Sequence, residues 1–148
     1  MSKLIYVDVG ALSRPFDDQG FMRIRLETEA VSLILSKTKE GYFRLLVSSA
    51  HDLEIRAIDD AVERIKLQTI LSEIGEPIKG NLSKIRARAE ELVRVGFGVA
   101  DAAHVAFAES YGAEFITCDD KLIKKSLMHK IDVWCGSPLA FCEKEGLR

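Results

Sequence analysis

Residues 4–8 read LIYVD, four apolar residues rich in β-branched and aromatic side chains that lead directly into a carboxylate. A continuous apolar run of this kind is typical of a strand that is covered on both faces, as in the centre of a parallel sheet. Open α/β sheets bind ligands at the carboxyl ends of their strands. The segment therefore predicts a central parallel strand with Asp8 at the ligand-binding edge.

The rest of the chain alternates predicted strands and helices. Further strands are predicted at 42–47, 76–78, 114–117 and 131–134, and helices at 26–39, 50–72, 81–95, 100–111, 121–128 and 138–144, with a loop at 10–20. Such alternation implies right-handed crossovers, a mostly parallel sheet and helices on both faces. This is the α/β class, a three-layer α/β/α sandwich. The 148 residues contain no linker and are interpreted as a single domain, 1–148.

The amino-acid composition limits the kinds of function that the chain can have. The formal net charge is −2 and the pI about 5.9, so any nucleic-acid function must use a local basic patch or bound metal. The three cysteines are odd in number and have no CxxC spacing, which argues against a disulfide framework or a zinc site and favours a reduced, cytoplasmic setting. The sequence shows neither a signal-peptide core nor an apolar run of the ~18 residues that a membrane span requires.

Four carboxylates occupy comparable positions along the chain. Asp8 and Asp119 each follow a predicted strand, whereas Glu54 and Asp101 lie near the starts of predicted helices that begin at the same edge. Glu54 is the most unexpected, because extending the apolar stripe of its helix back one turn from Ile58 places a carboxylate on the core-facing side. We therefore predict that the four acidic side chains converge.

Converging carboxylates need a counter-charge. Two of them about 4 Å apart repel by roughly 4 kcal/mol at an effective dielectric constant near 20. Such a cluster holds protons or binds cations. Oxygen-only ligands suit Mg²⁺ or Mn²⁺, which can activate a water molecule and polarise a phosphodiester. The pattern thus predicts a metal-dependent nuclease.

Structural alternatives exist for each acid. Asp8 is also a plausible turn residue, and Asp101 and Asp119 are plausible helix N-caps. A buried pair with an arginine would account for Glu54. The four acids together favour the metal site, because all of them are expected at the same edge of the sheet.

The histidines and two further acids receive structural interpretations. His104 is interpreted as a helix residue that hydrogen-bonds near the site or packs in the core, in preference to a metal ligand. His51 and His129 are interpreted as surface residues. Glu27 and Glu29 are expected early in a helix, where acids interact favourably with the helix dipole.

Basic residues near the predicted edge are candidates for binding substrate phosphate. The alternative for each is an ordinary solvated surface. The principal candidates are Arg14, Lys121 and Lys124, and the wider set adds Arg23, Arg25 and Lys125.

Three segments resemble the PIN domain family. They are YVDVGAL at 6–12, the acid-bearing helix SSAHDLEIRAI at 48–58, and GVADAAHVAFAESYGAEFITCDDKL at 98–122. The third segment is the most specific, since an acid is followed by A-x-H-V-A-x-A and then by T-x-D-x-x-L. The resemblance covers nearly the whole chain in order. The acidic set that it implies is Asp8, Glu54, Asp101 and Asp119.

The resemblance also implies a fold and a function. The family has a Rossmann-like parallel sheet with strand order 3-2-1-4-5, and it contains Mg²⁺- or Mn²⁺-dependent ribonucleases. Many members of this size are the toxins of VapBC-type toxin–antitoxin pairs. The resemblance therefore implies an endoribonuclease with an RNA substrate, a small cognate antitoxin and a homodimer.

The sequence departs from the family at one place. A serine, threonine or asparagine usually follows the first acid within two residues, whereas this chain has Val9 and Gly10. Thr117 or Ser13 would have to supply that support, or the activity would be weak. A catalytically silent RNA- or protein-binding module is therefore the alternative function. An aspartyl phosphotransfer enzyme is disfavoured, because it would need a second acid at position 10.

Two adjacent acids compete for the last ligand position. The spacing Thr117-x-Asp119 favours Asp119 over Asp120. Asp120, together with Thr117 and His104, is then interpreted as support for the ligands, and Asp120 alternatively caps the helix that follows.

Overall fold

A five-stranded, all-parallel sheet forms the centre of the computed structural model, which describes residues 2–148. The strands are β1 (Lys3–Val7), β2 (Phe43–Val47), β3 (Gly75–Pro77), β4 (Glu114–Ile116) and β5 (Cys135–Gly136). Their spatial order is β3-β2-β1-β4-β5, and each neighbouring pair is parallel. The predicted fold class and strand order 3-2-1-4-5 are confirmed.

Helices cover both faces of the sheet. They are α1 (Val9–Leu12), α2 (Met22–Lys39), α3 (Ser49–Arg56), α4 (Ala61–Ile74), α5 (Leu82–Arg94), α6 (Val99–Tyr111), α7 (Asp120–Met128) and α8 (Pro138–Glu145). Side chains of β1 alternate between the layers, so that Ile5 and Val7 pack in the cluster with α2, α4 and α8, whereas Tyr6 packs in the cluster with α5 and α6. None of the helices within residues 2–148 is long and apolar enough to cross a membrane.

The single helix predicted at 50–72 is wrong, because the chain breaks between α3 and α4. The break spans residues 57–60, and the Asp60 side chain caps α4 by accepting a hydrogen bond from the Glu63 backbone N–H at 3.0 Å. Aspartate favours such caps over helix interiors, since its carboxylate competes for backbone donors. The apolar periodicity continued across the break and concealed it.

Three short elements also differ from expectation. The predicted loop at 10–20 contains α1 and a 3₁₀ turn at Arg14–Phe16, in which Pro15 occupies an early position that suits proline. The last strand lies at Cys135–Gly136 and not at 131–134. Pairing begins only where Phe115 N–H donates to the Trp134 carbonyl at 2.8 Å, after a turn in which Lys130 has a φ of 49°.

The sheet has its topological switch point between β1 and β4. The chain runs from β1 outward through β2 and β3, and then returns to place β4 on the other side of β1. The two strands end level with each other, since Asp8 N–H donates to the Ile116 carbonyl at 3.1 Å. Open α/β sheets bind ligands at such a crevice. The residues just after β1 and β4 are therefore adjacent at that edge.

Candidate active site

A cavity of about 290 Å³ opens at the carboxyl edge of the sheet, over the switch point. Its lining includes Gly10, Thr117 and His104 and, from four different parts of the chain, the carboxylates Asp8, Glu54, Asp101 and Asp119. We call it the acidic cavity. Asp8 follows β1, Glu54 lies on α3, Asp101 lies on α6 and Asp119 precedes α7. The fold thus brings together all four acids that the sequence singled out.

Burial makes the charges of two acids unfavourable. Asp8 is only 8% exposed, and this burial raises its pKa to about 6, although hydrogen bonds from Thr117 and the Ala11 N–H act in the opposite direction. The pKa of Asp101 is also raised, first by burial and then by the neighbouring charge of Asp119. Without a cation, the cavity therefore favours retention of protons.

Asp8 and Asp119 act as helix caps as well as lining the cavity. Oδ1 of Asp8 accepts a hydrogen bond from the Ala11 N–H at 2.9 Å, and Oδ1 of Asp119 accepts from the Lys121 and Leu122 N–H groups at 2.9 and 3.2 Å. Thr117 supports Asp119, since its Oγ1 accepts the Asp119 N–H at 3.1 Å. Asp8 and Asp119 therefore each cap a helix and also line the acidic cavity.

A buried chain of hydrogen bonds holds Glu54. His104 Nε2 lies 2.5 Å from Glu54 Oε1, and His104 Nδ1 lies 2.5 Å from Tyr6 Oη. Tyr6 Oη lies in turn 2.6 Å from Ser48 Oγ. The contact with His104 is the main reason that the pKa of half-buried Glu54 is lowered. These hydrogen bonds join α3 and its N-cap Ser48 to α6 and β1.

His51 is fully buried, so its interpretation as a surface residue is wrong. Its Nδ1 accepts the Ser48 N–H at 3.0 Å, which leaves the proton on Nε2 to be donated to the Val7 carbonyl at 2.7 Å. Burial lowers the pKa of His51 to about 4, and the ring is neutral at physiological pH. Ser48 and His51 form a capping box for α3, and the serine three residues before the histidine was the available signal.

Asp120 lies outside the lining of the acidic cavity. It is exposed, and its two carboxylate oxygens accept hydrogen bonds from Arg23 at 2.8 and 2.9 Å. Of the two adjacent acids, Asp119 is thus the one that lines the cavity, and its role as a ligand stays a prediction.

A buried carboxylate whose burial the sequence did not reveal pairs with Arg14, one of the residues that line the acidic cavity. Glu27 is 1% exposed, and its Oε1 lies 3.0 Å from Arg14 Nε and 3.5 Å from Arg23 Nε. Glu27 lies in the second turn of α2 and bridges two arginines, in place of the helix-dipole role that was expected.

The three principal candidates for phosphate binding lie in different surroundings. Arg14 lines the acidic cavity and Lys121 lines an adjoining one, whereas Lys124 is exposed on α7. Phosphate binding by these residues stays a prediction.

The donor set of the acidic cavity fits a hard divalent cation. Carboxylate oxygens and a threonine hydroxyl are the ligands that Mg²⁺ and Mn²⁺ prefer. The side chains do not converge fully, however, since within residues 2–148 no three His, Cys, Asp or Glu side chains are close enough to hold a metal ion. Glu54 is turned towards His104, and Asp8 and Asp119 each engage one oxygen in a cap. A bound metal would therefore require side chains of the cavity to rotate.

Solved structures with a similar backbone were found. The structure of FitAcB from Neisseria gonorrhoeae contains a chain with a TM-score of 0.57 and 19% identity, and the match covers 91% of this chain and 98% of that one. A structure of FitAB bound to an IR36 DNA fragment gives a TM-score of 0.55 and 18% identity, with 90% and 94% covered. The shared property is the fold. No protein-family model and no curated protein sequence matches the chain.

Proposed function

We propose that this protein is a PIN-domain endoribonuclease that hydrolyses RNA phosphodiesters with the aid of Mg²⁺ or Mn²⁺. The observation that carries the proposal is the gathering of four carboxylates around one cavity at the switch point. The similar fold of the FitAcB and FitAB chains and the resemblance of three sequence segments to the PIN family support it. The residues that would hold the metal are Asp8, Glu54, Asp101 and Asp119.

In this mechanism the bound cation would polarise the phosphodiester and make a water molecule more acidic. The protein itself positions the ligands. Asp8 is fixed at the base of the cavity by its cap on α1, and Asp119 by its cap on α7. Glu54 is oriented by His104, which Tyr6 holds from behind. Because burial raises the pKa of Asp8 to about 6, its charge near neutral pH is unfavourable, and a bound cation would offset that cost.

We further propose that the protein is the toxin of a type II, VapBC-like pair. The resemblance to the PIN family implies this role, a small cognate antitoxin and a homodimer. The structures with a similar fold are those of FitAcB and of FitAB bound to an IR36 DNA fragment. The cytoplasmic location remains a prediction from cysteine usage.

The nuclease proposal is tested by incubating purified protein with RNA and Mn²⁺. Wild-type protein should cleave RNA, chelation with EDTA should stop cleavage, and Asp8→Asn should reduce it to background, since the substitution removes a carboxylate ligand. Asp132→Asn is the matched control, because exposed Asp132 lies outside the acidic cavity, and it should cleave within a fewfold of wild type. RNA that stays intact with wild-type protein and Mn²⁺ would overturn the proposal.

A silent binding module is the second candidate, and two observations favour it. Val9 is buried and Gly10 has no side chain, so no polar group follows Asp8 within two residues, and the carboxylates do not converge fully as they stand within residues 2–148. A Cβ added at Gly10 would lie 3.8 Å from Asp8 Oδ1, an ordinary contact, so Gly10→Ser fits. A nuclease should cleave RNA several times faster with this serine, whereas a silent module should stay inactive.

A further inference from the structure

His51 is a fully buried polar side chain that contacts the elements carrying two of the candidate ligands. It belongs to the first turn of α3, three residues before Glu54. Its ring reaches Val7, the last residue of β1, which directly precedes Asp8. Burial of a polar ring is unfavourable unless its nitrogens are hydrogen-bonded, and both nitrogens of His51 are.

The Nε2 nitrogen of His51 holds the peptide group that joins Val7 to Asp8. Nε2–H donates to the Val7 carbonyl at 2.7 Å, and the N–H of the same peptide group, that of Asp8, donates to the Ile116 carbonyl at 3.1 Å. A peptide group is planar, so bonds at both of its ends set the orientation of the whole unit. The backbone at Asp8 is therefore held between α3 and β4.

The Nδ1 nitrogen of His51 connects to the side chains that hold Glu54. It accepts the Ser48 N–H at 3.0 Å and lies 3.3 Å from Ser48 Oγ. Ser48 Oγ lies 2.6 Å from Tyr6 Oη, and Tyr6 contacts the histidine that orients Glu54. The His51 ring also packs against both of these rings, with centroid distances of 4.6 Å to Tyr6 and 5.2 Å to His104. One buried ring thus contacts the supports of both carboxylates.

We propose that His51 is a positioning residue, which sets the separation of Asp8 and Glu54 and thereby the affinity of the acidic cavity for Mg²⁺ or Mn²⁺. The inference rests on the proposed function, since it assumes that both carboxylates bind the cation. Mg²⁺ requires oxygen ligands at about 2.0–2.1 Å in near-octahedral geometry, so a small shift of α3 against β1 would weaken binding. Groups that orient metal ligands typically contribute about ten- to a hundredfold to metal affinity.

A purely structural role as a helix cap is the alternative, and it uses a different atom of the ring. The cap depends on Nδ1, which accepts the Ser48 N–H, whereas the bond to Val7 depends on Nε2. Burial lowers the pKa of His51 to about 4, so the neutral ring keeps its one proton on Nε2 at physiological pH. An asparagine oxygen stands at the same number of bonds from Cβ as Nδ1, and a glutamine nitrogen at the same number as Nε2. Substitution can therefore separate the two roles.

Calorimetric titration with Mn²⁺ tests the proposal. His51→Asn keeps an acceptor for the Ser48 N–H but loses the donor to the Val7 carbonyl, so its affinity for Mn²⁺ should fall by about ten- to a hundredfold. His51→Gln supplies a donor for Val7 together with the acceptor of an ordinary capping box. It should therefore bind Mn²⁺ within about threefold of wild type, well short of the loss expected for His51→Asn.

Two further variants separate positioning from stability. Asp60→Ala removes the N-cap of α4, outside the acidic cavity, and should bind Mn²⁺ as wild type does even if urea denaturation shows it to be as unstable as His51→Asn. Ser48→Ala is a milder change that serves if His51→Asn does not fold. It keeps the bond from His51 to Val7 but removes the hydroxyl that lies between His51 and Tyr6. It should weaken Mn²⁺ binding by about tenfold, the lower end of the range for such groups.

Three results would overturn the inference. The first is wild-type Mn²⁺ affinity in folded His51→Asn or, if that variant does not fold, in Ser48→Ala. The second is an equal loss of affinity in Asp60→Ala, which would trace the effect to stability alone. The third is a loss in His51→Gln as large as that in His51→Asn, because the restored donor would then have no effect.

The failure of the inference is distinct from that of the proposed function. If wild-type protein binds Mn²⁺ and cleaves RNA while His51→Asn binds Mn²⁺ equally well, only the role of His51 fails. If wild-type protein binds no Mn²⁺, the proposed metal site fails and the inference fails with it.

Discussion

At the residue scale, the candidate site is made of side chains that also stabilise the fold. Asp8 and Asp119 cap helices, and Tyr6 belongs to the core while its hydroxyl holds His104. The four acids were predictable from sequence because each interrupts an apolar pattern or follows a strand. Tyr6 was not, because a tyrosine within an apolar strand gives no sign of the partner of its hydroxyl.

The raised pKa of Asp8 predicts a gain in stability when its charge is removed. The folded-state pKa, about 6, lies above the ordinary value of 3.8. Ionisation therefore destabilises the fold as pH rises from about 4 to about 6, and above that range the cost is about 3 kcal/mol, since one pKa unit equals about 1.4 kcal/mol. In EDTA, urea denaturation should show Asp8→Asn to be more stable than wild type at pH 7.5, with the difference vanishing near pH 4.

Exposed Asp132 supplies the control for this prediction. Asp132→Asn should unfold like wild type at both pH values. A metal-free Asp8→Asn protein that is less stable than wild type at pH 7.5 would contradict the burial argument.

The buried hydroxyl of Tyr6 should contribute measurably to stability. Tyr6→Phe leaves Ser48 Oγ and His104 Nδ1 without their common partner, at 2.6 and 2.5 Å respectively. Loss of one partner of a buried hydrogen bond costs about 1–3 kcal/mol. Urea denaturation should show that loss. RNA cleavage should also be slower, because the His104 ring that orients Glu54 is no longer fixed.

Tyr111→Phe is the matched variant, since the Tyr111 hydroxyl donates to the Lys79 carbonyl at 2.7 Å in an exposed position. Its unfolding free energy should fall by less than that of Tyr6→Phe. Equal losses for the two variants would show that the buried hydrogen bonds of Tyr6 stabilise the fold no more than the exposed hydrogen bond of Tyr111 does.

At the element scale, most helices with an apolar stripe were predictable, whereas the division of 50–72 into α3 and α4 and three short elements were not. The helices α2, α5, α6 and α8 lie close to their predicted positions, because apolar spacing reports which face is buried. Three elements were missed or displaced, namely α1, the 3₁₀ turn and β5. Their formation depends on caps and on pairing with β4, which are tertiary contacts that local periodicity does not contain.

The division between α3 and α4 depends on the cap at Asp60. Asp60→Ala removes the acceptor of the Glu63 N–H, so unfolding should become easier by about 1 kcal/mol, the usual value of an N-cap. Thermal or urea denaturation measures this directly. Adjacent Asp59→Ala is the control, because Asp59 provides only a backbone carbonyl to Arg64. A loss confined to the Asp59 variant would contradict the assignment of the cap.

At the scale of the whole molecule, the alternation of strands and helices was enough to predict a parallel α/β sandwich. The strand order came from the resemblance to the PIN family, and the structure confirms it. That order is what brings the ends of β1 and β4 together at the switch point. The arginine pairing around Glu27 was not predictable in full, because Glu27 meets Arg23 within α2 but contacts Arg14 only once α2 has packed against the 3₁₀ turn before it.

The central claim is that four carboxylates act as one metal site, and calorimetric titration with Mn²⁺ tests it most directly. Wild-type protein should bind Mn²⁺, and the affinity should fall at least about tenfold in each of Asp8→Asn, Glu54→Gln, Asp101→Asn and Asp119→Asn. Asp120→Asn should bind as wild type does, since Asp120 pairs with Arg23 outside the acidic cavity. Absence of Mn²⁺ binding by wild-type protein, or wild-type affinity in Asp8→Asn, would contradict the claim.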